Sequence, residues 1–291
     1  MSSSSAERVS VVVASNAPAS RLASCLAALE PQVDDEVAVL VHEATASPAS
    51  LRERFPWARF TTSPGALVPE LWRDGFRAGS GDVVAFTIAQ MIPEPDWIAS
   101  IRRLLREHEA VGGAIDPGRG LRLGDWGEYF CRYARDMRPF PAHEDVDLPG
   151  DNVAFSRRRL EEIAPHLETG YWEPVAHPEL RRNGVTLFQS PELVVRMGRS
   201  AGFAAFVRQR LEHGRRYGHQ RGAHFSPARN LIGVVASPAV VALTTARVLR
   251  RVFDRGRYRR QAVLALPAIL AYNVTWAYAE ARGHLDMLTR R

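Results

Sequence analysis

All 38 lysine-or-arginine positions of this chain are arginine; there is no lysine. Without a lysine amine there is no Schiff base and no P-loop lysine, so pyridoxal chemistry and Walker-type nucleotide hydrolysis are excluded. The two cysteines, Cys25 and Cys131, make no CxxC pair, no disulfide framework and no zinc-ligand spacing, which suits a reducing compartment. The segment HEDVD (143–147) has the composition of a metal-ligand set. It lies within PFPAHEDVDLPG, and an acidic loop bounded by Pro and Gly reads as a solvated one. After the first apolar run the sequence is ASNAPASRL, which lacks GxGxxG, and GxSxG is absent throughout. Dinucleotide-fold and α/β-hydrolase chemistries are therefore disfavoured.

The arginines are unevenly placed. Residues 1–196 carry 21 Arg against 28 Asp and Glu, a net −7, whereas residues 197–291 carry 17 Arg against 4 acids, a net +13. So large a positive excess implies an anionic neighbour. The basic segment RVLRRVFDRGRYRR lies between two uncharged stretches, Leu231–Ala246 and Gln261–Ala279. Both have about the length needed to span a bilayer, and both are interrupted by proline and small polar residues. That pattern fits interfacial or re-entrant membrane helices with an arginine loop at the headgroups, at the cytoplasmic face of a membrane. A helical subdomain packed on the rest of the chain is the other reading. Nucleic acid is not expected as a partner, since no helix-turn-helix, zinc finger or aromatic RNP motif is present.

The chain is long enough for one large domain, or for a smaller one with an appendage. The first seven residues read as a disordered lead, because the apolar run that follows is too short for a signal-peptide core. VSVVVAS, EVAVLV (36–41), DVVAFT (82–87) and AVGGAI (110–115) are runs of buried-strand length, with a later strand near 153–156. Between them lie helical patterns: Leu22, Cys25, Leu26 and Leu29 at i, i+3, i+4, i+7; a helix near 66–78; and one after Pro95 burying Ile98, Ile101 and Leu105. Alternation of this kind predicts an α/β fold, a mainly parallel sheet flanked by helices, with its ligand site at the carboxyl ends of the strands.

The order of landmarks resembles the family 2 glycosyltransferases of the GT-A fold. The resemblance rests on VSVVVASNAPASRLASCLAAL, EVAVLV, LWRDGFRAGSGDVVAFT, PEPDWI, AVGGAI and PGDNVAFSRRRL, then on Glu173 eleven residues before the Asn183-Gly184 turn. In the tail, FVRQRLEHGRRYGHQRG and WAYAEARGHL are similar to segments of membrane-associated members. It covers almost the whole chain through many weak motifs in the correct order.

That resemblance implies transfer of a sugar from a nucleotide diphosphate donor to an acceptor hydroxyl. It places Ala14, Ser15, Asn16 and Glu43 at the nucleotide, with Asn16 equally readable as a turn or capping residue. Where the family has F-x-D-x-D, this chain has Phe86-Thr87-Ile88-Ala89-Gln90, so Ile88 and Gln90 replace both aspartates beside the nucleotide sugar. Mg²⁺ or Mn²⁺ prefers carboxylate oxygens, and strict dependence on either metal is not expected. Glu173 takes the place of the catalytic base in the family's ED dyad, whose second acid is Pro174 here. Glu173 also reads as an ordinary acid at a helix N-terminus. Asn152 and Trp172 fall at acceptor or sugar positions, Trp172 being equally readable as core. Arg215, Arg216 and Arg221 are candidates for the diphosphate or for a membrane-facing patch.

The expected organisation is a lead (1–7), a GT-A-like domain (8–224) and an apolar, arginine-rich helical tail (225–291). Two functions follow from the resemblance: a membrane-associated glycosyltransferase, or a non-catalytic relative serving as partner or scaffold.

Overall fold

The computed structural model describes residues 7–199, 202–223 and 225–289, so most of the expected lead lies outside the described residues. The chain opens with β1 (Val9–Ser15), α1 (Ala19–Leu29), β2 (Val37–Glu43), α2 (Ala49–Arg54), β3 (Ala58–Thr62), α3 (Val68–Ala78), β4 (Val83–Ile88) and β5 (Met91–Pro93). It continues through α4 (Trp97–Leu104), β6 (Ala110–Pro117), α5 (Leu123–Tyr133), β7 (His143–Asp145), β8 (Asn152–Ser156), α6 (Arg157–Glu162), α7 (Glu173–Arg182) and β9 (Leu187–Met197). Five helices close it: α8 (Phe203–Ala223), α9 (Pro227–Val235), α10 (Ser237–Arg255), α11 (Arg259–Leu264) and α12 (Leu266–Thr289).

The chain divides into two compact units: residues 1–118 with 136–198, and residues 119–135 with 199–291. The sequence-based boundary at 224/225 is not where the chain divides. α5 and α8, both assigned by sequence to the first domain, belong to the helical unit, because their apolar faces are covered by α12.

In the first unit a nine-stranded sheet runs β3-β2-β1-β4-β8-β6-β9-β5, with β7 paired to β9. Strands β3, β2, β1 and β4 are mutually parallel; β8 joins β4 antiparallel and turns the sheet towards β6, which β9 follows in parallel. β1 lies centrally and all seven of its residues are buried, which is why its sequence is an unbroken apolar run rather than an alternating one. Leu22, Cys25, Leu26 and Leu29 of α1 are buried, as their helical spacing requires. Burial also pushes the Cys25 thiol up to about 12, so it is an inert core group. The five expected strands all form; β3, β5 and β9 are additional, and His143–Asp145 of the acidic segment is the edge strand β7.

In the helical unit α8 and α12 run against each other along their length. Gly214, Gly218 and Gly222, four apart, let the backbones approach closely: a Cβ at Gly218 would stand 2.2 Å from the Glu280 carbonyl oxygen. The two apolar stretches are divided differently from the sequence expectation. Pro238 and Pro267 each sit in the first turn of a new helix, α10 and α12, which splits the first stretch into α9 and α10 and the second into α11 and α12. Among the described residues no single helix is long and apolar enough to cross a membrane; α9 and α10 together have the length and composition but are bent by 60°.

Candidate functional site

The parallel strands end side by side. Ala44 N donates to Ser15 O (2.8 Å) and Ala89 N to Ala14 O (3.0 Å), so the exits of β1, β2 and β4 are tied by backbone bonds. Ala14 and Ser15 are buried there, while the Asn16 side chain is exposed and makes no hydrogen bond among the described residues. The α1 N-cap is Pro18, with no side-chain capping bond, so Asn16 is not the helix cap that its type suggests.

Glu43 departs from the expected nucleotide contact. Its carboxylate is fully buried; Oε1 accepts from Arg52 (2.5 Å) and Thr62 Oγ1 (3.1 Å), and Oε2 accepts from Ser47 N (3.0 Å). Both oxygens hold the segment after β2 in place, as a buried carboxylate must be paired. Beside it, His42 is 3% exposed and its Nδ1 has no partner among the described residues. Burial pulls the His42 ring below its usual range, against the opposing charge of Asp74, so the ring is neutral near pH 7.

Ile88 is buried, in register with Ala14 on β1, and Gln90 is partly exposed with its carbonyl accepting from Gly198 N at 2.7 Å. An alkyl group and one amide do not make a seat for Mg²⁺ or Mn²⁺, which want hard oxygen ligands. Among the described residues no group of three or more His, Cys, Asp or Glu is arranged to hold a metal ion.

Glu173 comes to the end of the sheet through a specific close approach. It is the first residue of α7, where the helix dipole favours a carboxylate. A Cβ at Gly150 would meet Glu173 Oε1 at 2.4 Å and the Trp72 ring at 3.0 Å, so the carboxylate as placed packs directly against the glycine. Trp72 is fixed in turn: Nε1 donates to Thr87 O on β4 (2.9 Å), and its ring stacks on Phe86 at 5.8 Å. Thr87 Oγ1 donates to Asp151 O (3.0 Å), tying the Gly150-Asp151 turn to the same strand end. Trp172 is partly exposed, with Nε1 donating to Thr169 O at 3.1 Å, and is not a core residue.

Asn152 does not face an acceptor. It is fully buried: Oδ1 accepts from Trp97 Nε1 (2.8 Å), and Nδ2 donates to Ala114 O (2.9 Å) and Leu193 O (3.0 Å). The amide clamps β6 to β9 where their register shifts between Gly113 and Ala114. Behind Glu173 lies a polar chain, buried at Tyr171 and His177 and open at Asp147, that the sequence reading missed. Tyr171 donates its hydroxyl to His177 Nε2 (2.7 Å), and His177 Nδ1 bonds the Asp147 carboxylate. Burial, with Glu173 and Asp147 nearby, pushes the Tyr171 phenol well above its usual range. The three members follow no helix or strand period, so spacing could not reveal them.

The three candidate diphosphate arginines lie on α8 of the helical unit with acidic partners. Arg215 pairs with Asp286 (2.8 Å), Arg216 with Glu212 (3.8 Å) and Arg221 with Glu280 (3.1 Å). Their expected role at a diphosphate is replaced, in this structure, by ties along α8 and to α12.

No protein-family profile matches the chain, and no curated protein sequence matches it. Among solved structures it is similar to a mannosyltransferase from Pyrobaculum calidifontis, PcManGT, in complex with GDP-Man and Mn²⁺. The identity is 17% and the TM-score 0.53, over 99% of this chain and 87% of that one. GalNAc-T7 with UDP, GalNAc and Mn²⁺ matches at 14% identity and a TM-score of 0.48, over 67% of this chain and 44% of that one. At these identities the likeness is one of fold alone: a mostly parallel sheet flanked by helices, GT-A-like, with a C-terminal helical region.

Proposed function

We propose that the protein is a glycosyltransferase that takes a sugar from a nucleotide diphosphate donor, and that it works at a membrane. The observation that carries the catalytic reading is the Glu173 carboxylate held over Gly150 beside the end of β4, the side of the sheet where α/β folds bind ligands. There Glu173 takes the proton of an acceptor hydroxyl as that oxygen attacks the anomeric carbon and the nucleoside diphosphate leaves. The exposed Asn16 amide and the partly exposed Trp172 indole supply polar and stacking contacts for donor and acceptor. The GDP-Man bound by the similar mannosyltransferase supports a donor of this class; its Mn²⁺ does not carry over, because Ile88 and Gln90 offer no carboxylate.

A second reading is a non-catalytic relative kept as a partner or scaffold. It is favoured by Glu43, whose oxygens are occupied by Arg52, Thr62 and Ser47, and by Pro174, which follows Glu173 where a second acid would stand. A panel of GDP- and UDP-sugars, tested by melting shift with and without Mn²⁺, separates the two. Under the first reading at least one donor raises Tm, by a shift little changed by Mn²⁺; failure of every nucleotide to bind favours the second.

The membrane reading is supported by the helical unit, which carries 21 Arg against 6 acids. Among the described residues it also holds every exposed large apolar side chain except Val146 and Val175. Apolar insertion and electrostatic attraction together anchor where one alone does not. The full-length protein should float with anionic phosphatidylglycerol vesicles and not with neutral ones. Failure to associate with either at low and high salt would make the helices a packing subdomain.

A further inference from the structure

Two adjoining clefts in the helical unit have complementary linings. One, of about 650 Å³, is walled by α8 and α12 and presents Arg208, Arg215, Arg216, His219 and Arg282. The other, of about 560 Å³, is walled by α9, α10 and α12 and lined mainly by apolar groups, including Val234, Val241, Val274 and Leu285. Tyr278 and Arg282 line both, so the basic cleft and the apolar one adjoin at these two side chains.

The charges in the basic cleft do not cancel. Arg215 and Arg216 have Asp286 and Glu212, which also line it, as partners. Arg208 and Arg282 are exposed and have no carboxylate partner among the described residues. Two guanidinium groups are left over, and the planar guanidinium fork matches phosphate oxygens in geometry as well as charge. A phosphate monoester carries about −1.5 to −2 near pH 7, which matches that excess. The neighbouring apolar cleft exposes Val274 (52%) and Tyr278 (59%), surface that an alkyl chain would cover.

We infer that the two clefts form one binding site for an anionic membrane lipid with a phosphate-monoester head. The phosphate lies between Arg208 and Arg282, and the chain lies along α9, α10 and α12 past Tyr278. The site rests on the membrane reading only for the source of its ligand; a soluble short-chain lipid tests it without a bilayer.

The experiment is calorimetric titration of the full-length protein with dihexanoyl phosphatidate below its micelle concentration. Inorganic phosphate serves as the head alone and dihexanoylglycerol as the tail alone. Phosphatidate should bind at least about tenfold tighter than either fragment, because only it engages both linings. The double variant Arg208→Ala, Arg282→Ala should weaken phosphatidate by about a hundredfold, on the order of tenfold for each guanidinium–phosphate hydrogen bond removed. Val274→Asp should weaken phosphatidate and leave phosphate unchanged. Both arginines are exposed, so an unchanged Tm checks that the double variant is folded. Equal binding of phosphatidate and phosphate, or wild-type affinity in the double variant, would overturn the site. Vesicle flotation of the wild type with no binding of short-chain phosphatidate would leave the membrane reading standing and remove this site alone.

Discussion

The two units hold their arginines in different ways. The α/β unit has 17 Arg against 26 acids, a net −9, and its arginines meet carboxylates: Arg52 with Glu43, Arg138 with Asp116, Arg159 with Glu109, Arg102 with Asp34. The helical unit, at +15, has too few acids to pair every arginine, and aromatic faces hold some of the rest. Arg210 lies between Phe206 (5.1 Å) and Trp276 (5.0 Å) and Arg229 over Phe225 at 4.0 Å, while Arg221, paired with Glu280, also lies over Tyr217 and Phe225. Carboxylate pairing fixes geometry and cancels charge, whereas stacking on an aromatic ring fixes geometry and leaves the charge. A unit built the first way suits a preorganised site, and one built the second way keeps its field for an anionic partner.

The largest effect that sharpens this contrast is expected at Glu173, an acid of the α/β unit placed against Gly150 beside a strand end. Glu173→Gln should lower sugar transfer by about 10²–10⁴, the range for loss of a general base, while Tm stays within about 2 °C of wild type. Unchanged transfer would reject the assignment, and a large fall in Tm with proportionate loss of transfer would make Glu173 structural.

Next in size is the Arg52–Glu43 pair. Arg52→Met leaves the fully buried Glu43 carboxylate without its cation. The cost should be about 3 kcal/mol, the low end for orphaning a buried charge, because the arginine itself is 39% exposed. Arg282→Ala in the helical unit should change stability by less than about 0.5 kcal/mol, as surface substitutions do. Equal losses in urea titrations of the two variants would erase the distinction between paired and unpaired arginines.

Particular residues show what was legible beforehand. β1, β2, β4, β6 and β8 were readable because each is an apolar run long enough to be buried on both faces, and α1 because its apolar residues keep a period of 3.6. β3 was not readable: ARFTT at the sheet edge buries only Ala58 and looks like loop. Glu173 could be picked out by its place relative to Asn183-Gly184, but Gly150 and Trp72, which seat it, are far away in sequence and met only through tertiary packing. Asn152 and Glu43 misled because a buried structural amide or carboxylate has the same letter as one that binds a ligand. Their roles depend on Ala114, Leu193, Arg52 and Thr62, none of them sequence neighbours.

The close approach of α8 to α12 gives a smaller effect, in the unit that lacks strong pairing. Gly218→Ala gains about 1 kcal/mol of helix propensity. Against that, the new methyl meets the Glu280 carbonyl at 2.2 Å, a backbone atom that cannot rotate away, and overpacking of this kind costs roughly 1–3 kcal/mol. The net should be a loss of about 1 kcal/mol, read as a lower Tm. A higher Tm would mean that α8 and α12 are not held together by this face. Truncation at residue 225 would strip α12 from α8, so point variants of the full chain are the fair test of the helical unit.

At neutral pH the smallest effect, and one that grows only on acidification, is a pH dependence that again separates the units by charge. His213, on α8, is held down to about 4 from an ordinary 6.5, first by burial and then by the positive charges of Arg132, Arg216 and Arg210. Between those values the unfolded chain binds a proton that the folded one refuses, so stability rises with pH there. The contribution is fully present above about 6.5 and is lost as pH falls towards 4. Relative to pH 7.5, the loss should be a little under about 1 kcal/mol at pH 6 and about 2 kcal/mol at pH 5. His42 in the α/β unit is also shifted down, but by burial alone, with Asp74 opposing. The two histidines therefore differ in salt response: repulsion from three arginines is screened, and desolvation is not. His213→Asn should flatten part of the acid limb of the stability curve, and raising the salt should flatten that limb in the wild type and in a His42→Asn variant alike, but little further in His213→Asn. A wild-type curve that keeps the same slope in His213→Asn would show that the arginines of the helical unit do not set the charge state of their own histidine.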